Sequence, residues 1–443
     1  MHVSNGVEAP RGLVRAIGRW SLAALMVNTM IGASVFGLPS LIAARLGAVS
    51  PAAYFVAAAG VGVIGACLAE VGSQFREAGG PYLYAREAFG PFAAIQVAWL
   101  TWLSRIAASS AGANLFISYL SEFHPAVTDP VPRAAIVSVL VVLLATVNYR
   151  GVHGGARLSD VFTIAKLGII GIVVGGGLVA LATTPDVRVT PAGVPGTTAD
   201  WFAAIILMVY AYGGFDAALV AAGETRNPRQ DVPAALLLAL AGCTILFVSL
   251  QYVVIHTLPD PAATTKPLVD AARTFSGPTG GSFVAIGSLI SIYGYLSANM
   301  LHTPRLTFAL GQQGDFPRLF AAIHPRFRTP SVSIVTFAAL LLLFAIAGDF
   351  RWNATLSVVA RLFVYGSIAA ALPALRRKHP EADALRLPGG WIFSLLALAF
   401  TAVLITQTDA GGIAVVAMTF GIALLNWKAT RSKSIRDMAP VDF

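Results

Sequence analysis

Apolar windows of about 20 residues recur along almost the whole chain, and a helix of that length crosses the hydrocarbon of a bilayer at ~1.5 Å rise per residue. Little sequence is left for a water-soluble domain. Of 443 residues, 56% are hydrophobic and only 12% charged, far more apolar than a soluble core needs. Apolar length and the breaks between runs predict spans at 20–45, 48–74, 90–120, 131–148, 158–183, 200–223, 233–258, 280–310, 331–348, 353–375, 391–407 and 410–427. The expected fold class is an all-α polytopic membrane protein with twelve transmembrane helices. The first span exceeds the apolar length of a cleaved signal and lacks a small-residue cleavage pattern followed by a polar mature domain, so it is expected to stay in the membrane.

Basic residues are retained on the cytoplasmic side of a membrane. Alternate loops separate accordingly. Arg45, Arg133, Arg188, Lys266, Arg273 and Arg351 fall on one side, while the opposite loops and both tails carry a far larger set that includes Arg11, Arg15, Arg19, Arg376, Arg377 and Lys378. An inner (cell) membrane location is expected, with residues 1–19 and 428–443 both in the cytoplasm. The net charge of +9 follows from this topology, so no nucleic-acid partner is implied.

Cys67 and Cys243 both fall inside spans and read as packing residues. The seven histidines show no ligand spacing, and neither a phosphate-binding loop nor a nucleophile elbow occurs. No metal, no cofactor and no enzymatic activity are expected.

The first span contains Met30-Ile31-Gly32-Ala33-Ser34-Val35-Phe36-Gly37-Leu38-Pro39, two glycines and a proline inside an otherwise continuous helix. The sixth repeats the feature in Tyr210-Ala211-Tyr212-Gly213-Gly214-Phe215-Asp216. Glycine and proline also serve close packing in membrane helices. Paired interruptions at the start of each half of a ten-helix unit, however, are the pattern of a carrier whose half-helix ends expose backbone groups at the midplane.

Charges well inside spans are few: Arg105 in the third, Lys166 in the fifth, Asp216 in the sixth and Arg361 in the tenth. Each costs about 2.5–3.5 kcal/mol at a helix centre, so they are expected to face one another, broken backbone or water. For Arg105 and Arg361 a structural ion pair or carbonyl clamp is the alternative to a coupling or gating role. A desolvated lysine exchanges its proton readily, which makes Lys166 a coupling candidate beside Asp216.

Three stretches resemble the amino acid/polyamine/organocation permeases, in particular the bacterial amino acid permeases. They are Ile31 to Pro39 above; Ala78-Gly79-Gly80-Pro81-Tyr82-Leu83-Tyr84-Ala85-Arg86-Glu87-Ala88-Phe89-Gly90-Pro91; and Gly223-Glu224-Thr225-Arg226-Asn227-Pro228-Arg229-Gln230-Asp231-Val232-Pro233. The resemblance covers nearly the whole chain. It implies a LeuT-like core of two inverted five-helix repeats, here 20–183 and 200–375, with helices 1 and 6 broken and two further helices at 391–427.

It also implies a site. The substrate carboxylate is expected on the N–H groups of Gly32, Ala33 and Ser34, and the amino group on the carbonyls of Met30, Tyr210 and Gly213, at the Gly213-Gly214 break. Half-helix ends suit these charges independently. By register Ser109 and Asn299 face the substrate side chain, with Tyr210 or Tyr212 as an aromatic lid; back-bonding to its own helix is the alternative for Ser109. Ser34 stands where many members have glycine, and Asp216 where many have glutamate. Asp160-Val161-Phe162-Thr163-Ile164-Ala165-Lys166-Leu167 resembles the family stretch in which a lysine takes the place of a sodium ion, which implies sodium-independent, proton-coupled transport or exchange.

The expected function is thus secondary active transport of an amino acid. The alternatives are a polyamine or amine exchanger, separable by competition with decarboxylated amines, and a non-transporting sensor, for which the short tails hold no output domain. Expected partners are a small-molecule substrate (amino acid or amine), protons and the lipid bilayer, the chain acting as monomer or homodimer.

Overall fold

The computed structural model describes residues 18–75, 80–151, 155–191, 193, 196–216, 225, 227–380 and 384–437. Arg11, Arg15, Arg76, Ala78, Gly79, Gly223, Glu224 and Arg226 of the motifs and tails lie outside these residues. The helices are α1 Arg19–Met30, α2 Ser34–Leu46, α3 Ser50–Ser73, α4 Gly80–Phe89, α5 Pro91–Leu120, α6 Pro130–Arg150, α7 Gly155–Thr183, α8 Thr198–Tyr212, α9 Pro228–Thr257, α10 Pro267–Gln312, α11 Ser331–Ala347, α12 Phe350–Lys378, α13 Gly390–Thr406 and α14 Ala410–Asp437. Seven helical stretches among the described residues are long and apolar enough to cross a membrane, and α8, α11 and α13 are shorter apolar helices. The chain is an all-helical polytopic membrane protein.

Local sequence sets the helix ends. Proline stands in the first turn of α3, α5, α6, α9 and α10, where its missing N–H costs no hydrogen bond. Thr197 and Asp200 form a reciprocal capping box at the start of α8, and the Asp349 carboxylate caps α12. α10 bends at Gly277, followed by Pro278, so its straight part begins close to the predicted start of the eighth span. One element was not foreseen: the motif ahead of the third span folds as α4, turns at Gly90 and restarts at Pro91.

The exterior is apolar where a soluble protein would be polar. Val131 on α6 is 79% exposed and Leu425 on α14 is 68% exposed, with Leu237 and Ile245 on α9 similarly uncovered. Such faces are an aggregation liability in water and match hydrocarbon as solvent. Inside, α5 lies along α12, α7 along α10, α1 along α9 and α2 along α8.

Polar contacts tie the two ends of the bundle. At one, Glu122 accepts from Lys266 Nζ (2.7 Å) and from Arg273. Burial alone would raise the Glu122 carboxyl, but Arg273 and Lys266 hold it below the usual carboxylate range. Nearby, Arg133 Nη2 donates to Asn114 Oδ1 (2.8 Å) and the Gly348 carbonyl (2.7 Å). At the other end Arg376 grips Glu70 with two parallel bonds (Nε–Oε1 2.5 Å, Nη2–Oε2 2.8 Å), and the Leu387 N–H adds a third (2.9 Å). Glu70 is a charge inside the second span that the survey of buried charges passed over, and its side chain is fully buried.

Removing one partner of a buried pair strands the other charge, at a cost of about 3–5 kcal/mol. Glu70→Gln is therefore expected to lower the unfolding temperature of the detergent-solubilised protein by several degrees; an unchanged melting curve contradicts this assignment.

Candidate functional site

Two chain breaks meet near the middle of the bundle. α1 ends at Met30, Ile31 leaves helical geometry (φ −76°, ψ 78°), and α2 starts at Ser34. α8 ends at Tyr212; Gly213 is extended (ψ 155°) and Gly214 takes φ 111°, a left-handed conformation that favours glycine. The Gly214 backbone packs directly on the Thr29 carbonyl, so one break rests on the other.

A cavity of about 900 Å³ adjoins both. α1, α2, α5, α7, α8, α10 and α12 all contribute to its wall. Leu25, Asn148, His302 and Leu306 line its far part, so it extends from the breaks toward the end of the bundle that carries Glu70 and Arg376. Toward the opposite end the path is filled: Gly37 packs tightly on Phe350 and Leu115, the Tyr119 hydroxyl donates to the Phe36 carbonyl (2.7 Å), and Phe350 lies edge-on to Tyr210.

Twelve expected residues share this wall: Met30, Gly32, Ala33, Ser34, Arg105, Lys166, Tyr210, Gly213, Gly214, Asp216, Asn299 and Arg361. Ser109 and Tyr212 do not. Ser109 Oγ donates to the Arg105 carbonyl (2.9 Å), the back-bond of a helical serine. The Tyr212 hydroxyl reaches the Tyr54 carbonyl (3.1 Å) and Thr244 (3.0 Å), because two residues along a helix turn it away from Tyr210.

The expected backbone donors divide. Gly32 N–H is turned onto the Met30 carbonyl (2.8 Å), so it is engaged within the break. Among the described residues, the N–H groups of Ala33 and Ser34 donate to no such partner. Ser34 Oγ, 2% exposed at the residue level, is likewise buried without a hydrogen bond. Buried polar groups are nearly always satisfied, and an unfilled cluster at a helix N-terminus, where the backbone carries partial positive charge, suits an anion.

Lys166 sits at the other half-helix end. Its Nζ donates to the Asn28 carbonyl (2.7 Å) and to Asn28 Oδ1 (2.6 Å), in the last turn of α1, where a cation complements exposed carbonyls. Asp216 Oδ1 accepts from Gly214 N–H (3.3 Å) and from the Tyr365 hydroxyl (3.4 Å). The Tyr210 hydroxyl donates to the Ala108 carbonyl (3.2 Å), and Asn299 Nδ2 donates to Tyr295 O (3.0 Å). The Arg361 guanidinium lies against Gly213, beside Tyr365.

Sequence inspection missed Asn28, Tyr295 and Tyr365. Tyr295 covers Gly32 and Gly112, so its ring closes the space beside the first break. Asn28 was visible as an amide two residues before the break, whereas the two tyrosines are ordinary members of long apolar helices.

A profile of amino acid permeases matches residues 17–427. A methylthioribose transporter of Bacillus subtilis (strain 168) is 28% identical over 405 residues, covering 85% of each chain. The serine/threonine exchanger SteT of the same organism is 25% identical over 419 residues, 91% of this chain and 94% of that one. Its branched-chain amino acid permease BcaP is 24% identical over 414 residues, with 89% and 88% covered.

Proposed function

The chain belongs to the amino acid permease family, and from that premise we propose that it is a secondary active transporter that carries amino acids across the cytoplasmic membrane by alternating access. The observation that carries this is the meeting of two helix breaks on one cavity, with the free Ala33 and Ser34 N–H groups and the unpaired Ser34 hydroxyl on its wall. Half-helix ends at a midplane cavity are the means by which a carrier binds charged groups without a preformed ion pair.

The fuller architecture belongs to the same proposal. Twelve spans, with 20–183 and 200–375 as inverted repeats and 391–427 outside them, give each repeat one broken helix at its start, which is where α1/α2 and α8 interrupt. With both termini cytoplasmic, the cavity opens inward and the Phe350 side is the closed outer gate. Lys166, bonded to α1 beside the break, takes the place of a coupling sodium ion and links substrate release to a proton. Asp216 and Tyr365 join the second break to α12 and move with the gate.

Uptake of labelled amino acids into sodium-free proteoliposomes, with and without an inward proton gradient, tests the proposal. Accumulation stimulated by the gradient is expected. Absence of both accumulation and exchange, with amino acids loaded inside, overturns it and brings an amine substrate or a sensing role forward.

A further inference from the structure

Charge inside the cavity is unbalanced. Arg105, Lys166 and Arg361 bring three cationic side chains to its wall, and Asp216 is the one carboxylate among the described lining residues. Lys166 is already satisfied by Asn28. Asp216 is held by Gly214 N–H and the Tyr365 hydroxyl; it attracts both arginines through space, but among the described residues it is in contact ion-pair distance of neither. The Tyr365 phenol stands between Asp216 and Arg361. The Arg105 side chain makes no hydrogen bond among the described residues. Two guanidinium groups on this wall thus share the field of one carboxylate, which leaves a net positive charge in an apolar bundle, a costly arrangement that persists where a ligand or water completes it.

Position narrows the ligand further. Arg361 lies against Gly213, the neighbour of Gly214, which in turn touches Thr29 at the first break. Arg105 is one turn of α5 from Ala108, whose carbonyl holds Tyr210. Both arginines therefore stand within the reach of a small molecule whose α-carboxylate rests on Ala33 and Ser34. A neutral amino acid leaves the surplus charge unmatched, and an amine increases it. A second carboxylate fits the planar fork of a guanidinium, which donates two parallel N–H bonds.

We propose that the substrate is an acidic amino acid of the aspartate or glutamate class, with its distal carboxylate bound by Arg105 and Arg361. This rests on the transporter proposal above and specifies the ligand of the same cavity.

Equilibrium binding to the purified full-length protein in detergent tests it, using labelled L-glutamate, L-aspartate, L-leucine, L-serine, succinate and putrescine. Glutamate or aspartate is expected to bind at least about 10-fold more tightly than leucine, serine or putrescine. Arg105→Gln and Arg361→Gln are each expected to weaken that binding roughly 10- to 100-fold, the range for loss of a charged hydrogen bond. Arg→Lys at either position is expected to restore only part of it. Binding of leucine or serine with no preference for the acidic pair overturns the acidic-substrate proposal and leaves amino acid transport standing. Binding of succinate or putrescine alone overturns both. If the glutamine variants fold, by gel filtration, and keep the full acidic preference, the arginine assignment is wrong; if they do not fold, the ligand ranking of the unmodified protein decides.

Discussion

Gly214→Ala is expected to reduce transport by about two orders of magnitude while the protein still purifies as a folded species. The added Cβ meets the Thr29 carbonyl oxygen at 2.5 Å and its carbon at 3.0 Å, and both are backbone atoms that no rotamer change can move. The conformation resists as well, since φ 111° is one that L side chains rarely adopt. The two breaks must then separate. A displacement of about 1 Å at a positioned site is worth roughly 100-fold, and here it falls on the groups proposed to hold the substrate. Initial uptake rates in proteoliposomes, matched for protein content, give the measurement; near-normal uptake shows that contact between the breaks is dispensable.

Lys166→Gln is expected to be nearly as severe, but selective. The ammonium donates to both oxygens of Asn28 in the last turn of α1. A glutamine amide is neutral and shorter, and it leaves the exposed carbonyl end of the half-helix without its cation. Proton-driven accumulation is expected to fall at least about 10-fold, in line with loss of a charged hydrogen bond, while exchange of internal for external substrate at equal pH persists. Full gradient-driven accumulation in this variant removes Lys166 from the coupling step. Equal loss of accumulation and exchange assigns it instead to holding the break in shape.

The membrane class was legible because it rests on sums over long windows, which one misplaced residue does not disturb. The breaks were legible for a related reason: Gly32, Gly213 and Gly214 interrupt runs that are otherwise uniformly apolar, and the chain leaves helical geometry where they stand. The buried charges were equally plain, with one exception. Glu70 lies near the end of α3, and its bidentate partner Arg376 is 306 residues away on α12, a pairing that only the tertiary fold creates.

Side-chain direction was harder to read. Ser109 and Tyr212 each lie close in sequence to lining residues, Arg105 and Tyr210, yet neither reaches the wall: at about 100° per residue the helix turns Tyr212 away from Tyr210, while Ser109, on the same face as Arg105, is buried and back-bonded to the Arg105 carbonyl. Tyr295 and Tyr365 carried no sequence signal, because tyrosines in apolar helices usually pack. The turned-in Gly32 N–H is a further point at which register pointed to a segment that lines the cavity but not to the state of each donor, since the Met30 carbonyl competes for it.

The most direct test of the central claim, that substrate passes through the cavity between the two breaks, uses a single reporter cysteine. Ala298 is exposed on the cavity wall next to Asn299, while Cys67 and Cys243 are buried and replaceable by alanine. Ala298→Cys in that background, reconstituted in sodium-free liposomes, is modified with a bulky thiol reagent, and labelled glutamate uptake is measured before and after, with and without excess unlabelled glutamate present during modification. The account predicts that modification blocks uptake and that glutamate protects the cysteine. Uptake that survives complete modification places the substrate path elsewhere in the bundle.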